Sequence, residues 1–311
     1  MMDRLEAMSL LIETVECGSM SAAGRKLGTP VATLSRKLSD LEAHLGVRLL
    51  TRSTRKLELT EAGLAYLAAS RRILEQVGEA EKEAAGEYLV PRGELLLTAP
   101  LSFGRRHVLP VANEFLAQHP DISVRLALSD EHLDLVGQHV DLAVRLGGLT
   151  DSQLIARRVG AMPWVIVASP DFLAAHGEPK TPDDLNGMPC VGVDFINLAT
   201  WWRFRVPDAS TDHNVRVKCR LAVTTGEGAV DAAIAGVGLT QTLLYQAAPA
   251  IAAGQLKVVL ADYEAAPLPV SIVYTGRGKM PLKTRSFLDF AAPRLKREID
   301  QLDRQTGFSV A

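Results

Sequence analysis

The 311-residue chain has three cysteines, Cys17, Cys190 and Cys219, an odd number set far apart. No Cys-x-x-Cys pair or Cys/His ligand spacing accompanies them, so neither a disulfide framework nor a zinc site is supported. Buried thiols are the expectation. A cationic secretory leader is missing, because Asp3, Glu6, Glu13 and Glu16 make the N-terminus acidic. The long uncharged run Ala232 to Leu256 is interrupted by Gly236, Gly238, Pro249 and Gly254. It reads as helix–strand–helix in an α/β core rather than as a membrane span. Enzymatic signatures are missing too: there is no Gly-x-Ser-x-Gly, no phosphate loop ending in Lys-Ser/Thr and no His-Glu-x-x-His. His132, His139 and Asp141 do not stand at metal-ligand spacing. The lone pairs Gly226/Gly228 and Gly236/Gly238 are too little for a dinucleotide site. No catalytic residue, metal or cofactor is therefore expected, and the expected location is cytoplasmic with no membrane partner.

The chain also lacks a strong net charge, at −2, but the distribution is uneven. Between Arg25 and Lys56 eight basic residues stand against Asp40 and Glu42, a local +6. Around them the punctuation is dense. Apolar positions Leu5, Met8, Leu11, Ile12 and Val15 define a first helix, Asp3 to Cys17, that Gly18 stops. Ser19 or Ser21 caps a short second helix, Ala22 to Leu27, ended by Gly28. Thr29 as cap and Pro30 at the first helical position open the third, whose buried face is Leu34, Leu38, Leu41 and Leu45. Ala32, Thr33, Ser35, Arg36 and Lys37 are left for the outer faces, where small and hydroxyl side chains permit close approach to base edges. Val47 to Thr60 reads as two short strands with Arg52, Arg55 and Lys56 at their tip. A charge cluster alone is usually a solvated hairpin; beside a helix-turn-helix it reads as a phosphate-contacting wing.

Thr60-Glu61 opens a long helix to about Tyr88. Leu67, Leu74 and Glu81 recur every seven residues, with Ser70, Val77 and Ala84 between them, a thin seam expected to pack on a partner chain. Pro91-Arg92-Gly93 ends it. The period then changes to strands alternating with helices, which implies an α/β body with a mostly parallel sheet. Expected strands are Leu95–Pro100, Ser123–Ser129, Asp141–Gly147, Pro163–Ser169, Cys190–Phe195, Arg216–Val223, Leu256–Leu260 and Val270–Thr275. Expected helices include Ser102–Gln118, Leu133–Gln138, Asp171–His176, Gly226–Gly236 and Thr284–Leu295. Trp201 and Trp202 read as packing residues.

Several of these pieces together resemble a LysR-type transcriptional regulator. They are Gly18-Ser19-Met20-Ser21-Ala22-Ala23, Leu34-Ser35-Arg36, Leu41-Glu42, Leu45-Gly46-Val47-Arg48-Leu49-Leu50, Arg52, Arg55 and Leu59-Thr60-Glu61-Ala62-Gly63. Leu95–Pro100, Phe115–Val124, Asp141–Gly147 and Gly226–Leu239 extend the likeness over nearly the whole chain. The resemblance implies an N-terminal all-α winged helix-turn-helix (residues 1–60) and a linker helix that dimerises (61–91). Behind them it implies a C-terminal α/β effector domain of two Rossmann-like subdomains, as in type 2 periplasmic binding proteins (92–161 with 267–300, and 162–266). Its implied partners are double-stranded promoter DNA, a small-molecule effector held between the subdomains, and further copies of itself as a dimer or tetramer. One departure is plain: where the family opens its recognition helix with Ser-Gln, this chain has Pro30 and Val31, and Val31 cannot make the bidentate adenine contact of a glutamine.

The expected DNA contacts are Ser21, Thr29, Ala32, Thr33, Ser35, Arg36, Arg52, Arg55 and Lys56. A cleft between such subdomains collects strand C-termini and helix N-termini. The expected effector contacts are accordingly Leu101, Ser102, Phe103, Ser129, Arg145, Gly147, Phe195, Ile196, Thr224 and Thr225. Free helix N–H groups favour a carboxylate or other small anion, although plain capping explains Ser102 and Thr225 equally well. Glu227 reads as a dipole-stabilising residue. The competing reading is a soluble small-molecule-binding or enzymatic α/β protein whose first 90 residues only oligomerise it.

Overall fold

A computed structural model of the chain describes residues 3–52, 57–84, 90–131, 134–135, 137–149, 154–193, 199–205, 212–276 and 280–306. Helix α1 (Arg4–Glu16) starts on Asp3, whose carboxylate accepts hydrogen bonds from the Leu5 and Glu6 amides at 3.0 and 3.2 Å. Gly18, at φ +69°, stops it. Helix α2 (Met20–Leu27) starts on Ser19, whose Oγ accepts from Ala22 N at 3.2 Å, so Ser19 rather than Ser21 is the cap. Gly28 turns the chain with φ +62°, where a side chain would be strained.

Helix α3 (Val31–Leu45) begins one residue later than the sequence suggests. Pro30 takes the cap position, and the Thr29 hydroxyl donates to the Leu27 carbonyl at 3.4 Å instead of capping. Leu34, Leu38 and Leu41 are buried against Ala7, Leu10 and Leu11 of α1, which the four-residue spacing requires. The wing strands β1 (Leu50–Arg52) and β2 (Leu57–Leu59) pair antiparallel, Leu50 opposite Leu59. Thr60 then opens α4 (Glu61–Ala84): its hydroxyl accepts from Gly63 N at 2.9 Å. At Gly63 an added Cβ would stand 2.0 Å from the Leu49 carbonyl oxygen, so wing and α4 meet backbone to backbone.

The expected partner seam on α4 is half used within the chain. Leu67 is part of the N-terminal core and Ser70 is buried; among the described residues of α4, the large apolar side chains facing solvent are Leu64 and Ile73. Tyr88, the expected helix end, lies outside the described residues. Farther along α4, Glu75 pairs with Lys283 Nζ at 2.5 Å, with the lysine side chain 5% exposed. Arg72 Nη2 lies 2.9 Å from His139 Nδ1. These contacts tie the linker helix to the α/β body.

That body starts with β3 (Gly93–Ala99) and a helical stretch of α5 (Leu101–Phe103), a π-helical turn (Gly104–Val108) and α6 (Leu109–Gln118). Then come β4 (Ile122–Leu128), β5 (Leu142–Leu146) and β6 (Leu154–Met162). The second subdomain holds β7 (Trp164–Ala168), α7 (Pro170–His176), β8 (Cys190–Gly192), β9 (Ala199–Arg205), β10 (Asp212–Ala222), α8 (Gly226–Ile234), β11 (Leu239–Leu243), α9 (Leu244–Ala252) and β12 (Lys257–Val259). The chain returns along β13 (Leu268–Thr275) and ends in α10 (Leu282–Thr306).

Two mixed sheets result, with orders β4-β3-β5-β13-β6 and β12-β7-β11-β8-β10-β9. The expectation of a mostly parallel sheet is corrected. β3 is parallel to β4 and β5, and β8 to β10 and β11, but β13 is antiparallel to β5 and β6, and β7 to β11 and β12. β6 carries the chain out of the first subdomain and β13 brings it back, so those two run in opposite directions. β9 and β10 are antiparallel neighbours joined by six residues, too few for a crossover. The expected helix Leu133–Gln138 is also corrected. Leu133 lies outside the described residues, and the described ones form a single turn, Gln138 N to Asp134 O, halted by His139 at φ +57°.

One apolar core runs through both subdomains, joining Leu95, Phe115 and Phe287 to Val167, Leu244 and Ala247. A second lies under β9 and β10 around Trp202, Phe204, Val217 and Phe172. Among the described residues no helix is long and apolar enough to cross a membrane.

Leu34→Ala removes a fully buried side chain from the small N-terminal core. It is expected to destabilise that unit by about 2–5 kcal/mol. In a circular-dichroism melt of the full chain the loss appears as an early helical transition; an unchanged melt would contradict this packing.

Candidate DNA-binding surface and effector cleft

Because three leucines fix the rotation of α3, its other faces are determined. Val31, Ala32 and Arg36 are exposed, and Thr33 and Ser35 are half-buried beside them. Ser21 is exposed on α2 and Thr29 is half-buried in the turn. Six of the expected contacts thus come from one α2–turn–α3 unit. Arg52 lies in β1 with its side chain outside the described residues, and Arg55 and Lys56 lie outside them altogether.

The local charge is smaller than the sequence window suggests. Lys26 pairs with Glu13 at 2.6 Å and Lys37 with Glu6, both acids of α1 that fall outside the window. Arg25, Arg36 and Arg48 remain exposed, without an ion pair to a described residue.

The expected effector residues divide. Ser102 is buried and Leu101 exposed at the start of α5, but Phe103 is a core residue, edge-on to Tyr245 with centroids 5.4 Å apart. The Leu101 amide already donates to Asp130 Oδ1 at 3.0 Å. Ser129 Oγ accepts from Glu131 N at 3.1 Å, and Thr225 caps α8 by accepting from Gly228 N at 3.1 Å. Thr224 is exposed beside it. Arg145 is the penultimate residue of β5, where burial lowers the affinity of its guanidinium for the proton. Gly147, at φ +104°, donates to the Pro269 carbonyl at 2.9 Å, against the returning strand. Phe195 and Ile196 lie outside the described residues.

Glu227 does more than face a helix dipole. Arg105 Nη2 and Arg106 Nε, in the π-helical turn of the first subdomain, donate to its Oε1 at 2.7 and 3.3 Å. Burial alone would raise this carboxyl, but hydrogen bonds from Arg105, Ser102 and Arg106 outweigh it and hold the group below its ordinary value. The pairing spans the two subdomains.

A cavity of about 610 Å³ lies at the hinge, lined by Trp164, Trp201, Arg203, Asn214, Gln241, Ala265, Ala266 and Leu268. None of the residues expected from the sequence lines it. The available signal was the period-two pattern of Trp201 to Arg205, in which Trp202 and Phe204 are buried while Trp201, 65% exposed, Arg203 and Arg205 face outward. Trp202 packs as expected; Trp201 does not. Beside the cavity, burial raises the Glu264 carboxyl to about 7, and its Oε1 has no hydrogen-bond partner among the described residues.

Cys190 and Cys219 are buried and not joined in a disulfide; they stand opposite each other on β8 and β10, and burial, with Cys219 alongside, pushes the Cys190 thiol up to about 12. Cys17 is free and half-buried. Among the described residues no group of three His, Cys, Asp or Glu is placed to hold a metal ion.

Comparison with known proteins follows this division of the chain. Residues 5–64 match the family model of a bacterial regulatory helix-turn-helix protein, lysR family, and residues 90–296 that of a LysR substrate binding domain. The chain is 34% identical to an HTH-type transcriptional regulator of Xanthomonas campestris over 97% of its own length and 88% of the relative's. It is 32% identical to a transcriptional repressor of Pseudomonas aeruginosa over 93% and 91%. Among solved structures, CrgA of Neisseria meningitidis, a LysR-type transcriptional regulator, aligns with TM-score 0.58 and 31% identity, covering 94% of this chain and 98% of that one.

The Glu227 carboxyl, lowered by folding, contributes stability above its unfolded value of 4.5 that is lost as pH falls through the folded value. Glu227→Gln is therefore expected to lower the melting temperature at pH 7 and to approach wild type in acid below the folded value. A gap independent of pH would show that the charge contributes nothing.

Proposed function

The chain belongs to the LysR family of bacterial transcriptional regulators, and from that premise we propose how its parts divide the work. It is a DNA-binding regulator with an effector-binding domain, and its relatives are named as regulators, not enzymes. The alternative of an enzymatic α/β protein with an oligomerisation module has no support among them.

In the proposed arrangement α3 enters the major groove and the wing lies on the flanking phosphates. The observation that carries this is the outward face of α3: Ala32 leaves room at the helix start and Arg36 is exposed, while Lys26 and Lys37 are engaged by α1. Arg36, with Thr33 and Ser35 beside it, reads base edges. Ser21, Thr29, Arg52, Arg55 and Lys56 hold phosphates and set the register. Val31 at the head of α3 offers a methyl-bearing surface instead of an amide, so the base beside it is read by shape and apolar contact. Copies associate through the exposed side of α4, where Leu64 and Ile73 are uncovered, and a pair of recognition helices then meets two half-sites. A small molecule bound in the α/β body changes how the copies sit on DNA, in the cytoplasm.

Fluorescence anisotropy on the DNA immediately upstream of the coding region, with salt titration and scrambled competitor, tests this. Arg36→Ala is expected to weaken specific binding by roughly 1–3 kcal/mol and to relax base preference at one position. Arg52→Ala is expected to weaken binding on every sequence and to reduce the salt slope by about 1. Unchanged operator affinity in both variants would refute the docking.

A further inference from the structure

The three acids of α1 each pair with a cation of a different neighbour: Glu6 with Lys37 of α3, Glu13 with Lys26 of α2 at 2.6 Å, and Glu16 with Arg71 of α4 at 3.0 Å. We propose that Glu6 and Glu13 hold the Lys37 and Lys26 ammonium groups away from the DNA phosphates, and so set an upper limit on the sequence-independent affinity of the protein for DNA. The proposal rests on the reading that α2 and α3 dock on DNA. It adds two positioning residues that act through the lysines and touch no DNA themselves.

Of the five cations from Arg25 to Arg48, the three arginines are exposed and carry no ion pair to a described residue, while both lysines are paired. The division matters because of where the lysines stand. Lys37 follows Arg36 and lies one helical turn beyond Thr33, on the stripe that flanks the outward face of α3. Its side chain is half-buried, turned toward α1. Lys26 is in the last turn of α2, and in a helix-turn-helix that helix crosses the phosphate backbone. A lysine is a compact charge on a flexible four-carbon stem. With no acid to hold it, either ammonium can swing to a phosphate.

Packing does not depend on these pairs. Ala7, Leu10 and Leu11 of α1 already share one core with Ala23, Leu34, Leu38 and Leu41, and partly exposed ion pairs add little stability. Glu6 and Glu13 stand two turns apart on one stripe of α1, so a single face of that helix serves both lysines. The consequence is electrostatic. Each phosphate contact adds about 0.9 to the slope of log affinity against log salt. Withholding two lysines therefore removes up to about 2 of slope, on the operator and on any other sequence alike, because phosphates carry no sequence information.

Anisotropy titrations of the full chain on operator and scrambled duplexes, between about 0.05 and 0.2 M salt, test the proposal. Glu6→Gln is expected to tighten binding to both duplexes about threefold and to steepen the salt slope by about 1. Glu13→Gln should do the same, and the two together should steepen it by about 2. In a Lys37→Gln background Glu6→Gln should have no effect, the mark of a charge that acts through its partner. Melting curves of the glutamine variants should match wild type. An unchanged slope in both variants would overturn the proposal. So would a gain that persists without Lys37, since Glu6 would then be repelling the phosphates directly. Arg36→Ala separates this from the docking itself. If it weakens operator binding while the glutamine variants behave as wild type, the docking stands and the role given to Glu6 and Glu13 falls; if none of the variants changes binding, both fall.

Discussion

The rotation of one helix about its own axis governs the N-terminal half of this protein. Burying Leu34, Leu38 and Leu41 leaves α3 a single orientation against α1. That orientation decides that Arg36 points outward and that Lys37 reaches Glu6. It also positions Glu42, whose carboxylate accepts from the Leu49 and Leu50 amides and so fixes where the wing leaves the helix. The wing in turn meets α4 at Gly63, where there is no room for a side chain. Helix, wing and linker are thus referenced to the same three side chains, and a DNA surface built from all of them inherits its precision from apolar packing.

Local chemistry was legible in the sequence where it is decided locally. Gly18 and Gly28 stop helices because only glycine takes positive φ cheaply, and Ser19 caps because its hydroxyl reaches the next free amide. The order of elements was legible for the same reason. Strand direction was not: whether β13 runs with or against β5 depends on a chain that has travelled through another subdomain and returned. β6 was missed because its burial does not alternate: four exposed residues in a row, Ile155 to Arg158, precede a half-buried and buried end.

The candidate sites divide along the same line. The face of α3 follows from periodicity, so its outward residues were readable. The cleft does not, because its groups come from segments more than a hundred residues apart. Glu227 meets Arg105 and Arg106 only once both subdomains exist. The sequence signalled helix N-termini with free donors; the fold satisfies them itself, the Leu101 amide with the Asp130 carboxylate and the Gly228 amide with the Thr225 hydroxyl. The hinge cavity gathers β7, β9, β10, β11 and the returning strand, none of which carries a motif for it.

Helix α10 has a mechanical consequence. Its second residue, Lys283, holds Glu75 of the linker, and Ile299, four turns farther on, lies so close to Gly160 that a Cβ there would come within 2.9 Å. Gly160 belongs to the strand that leads into the hinge. Between these ends Phe287, Leu288, Ala291 and Leu295 are buried in the shared core, so the helix behaves as a beam fixed along its length. Roughly 24 Å of it, at 1.5 Å per residue, separates the two attachments. A beam of that length converts a small rotation at one end into a larger displacement at the other. The linker would feel a change in the angle between subdomains as leverage, with no loop in between to absorb it.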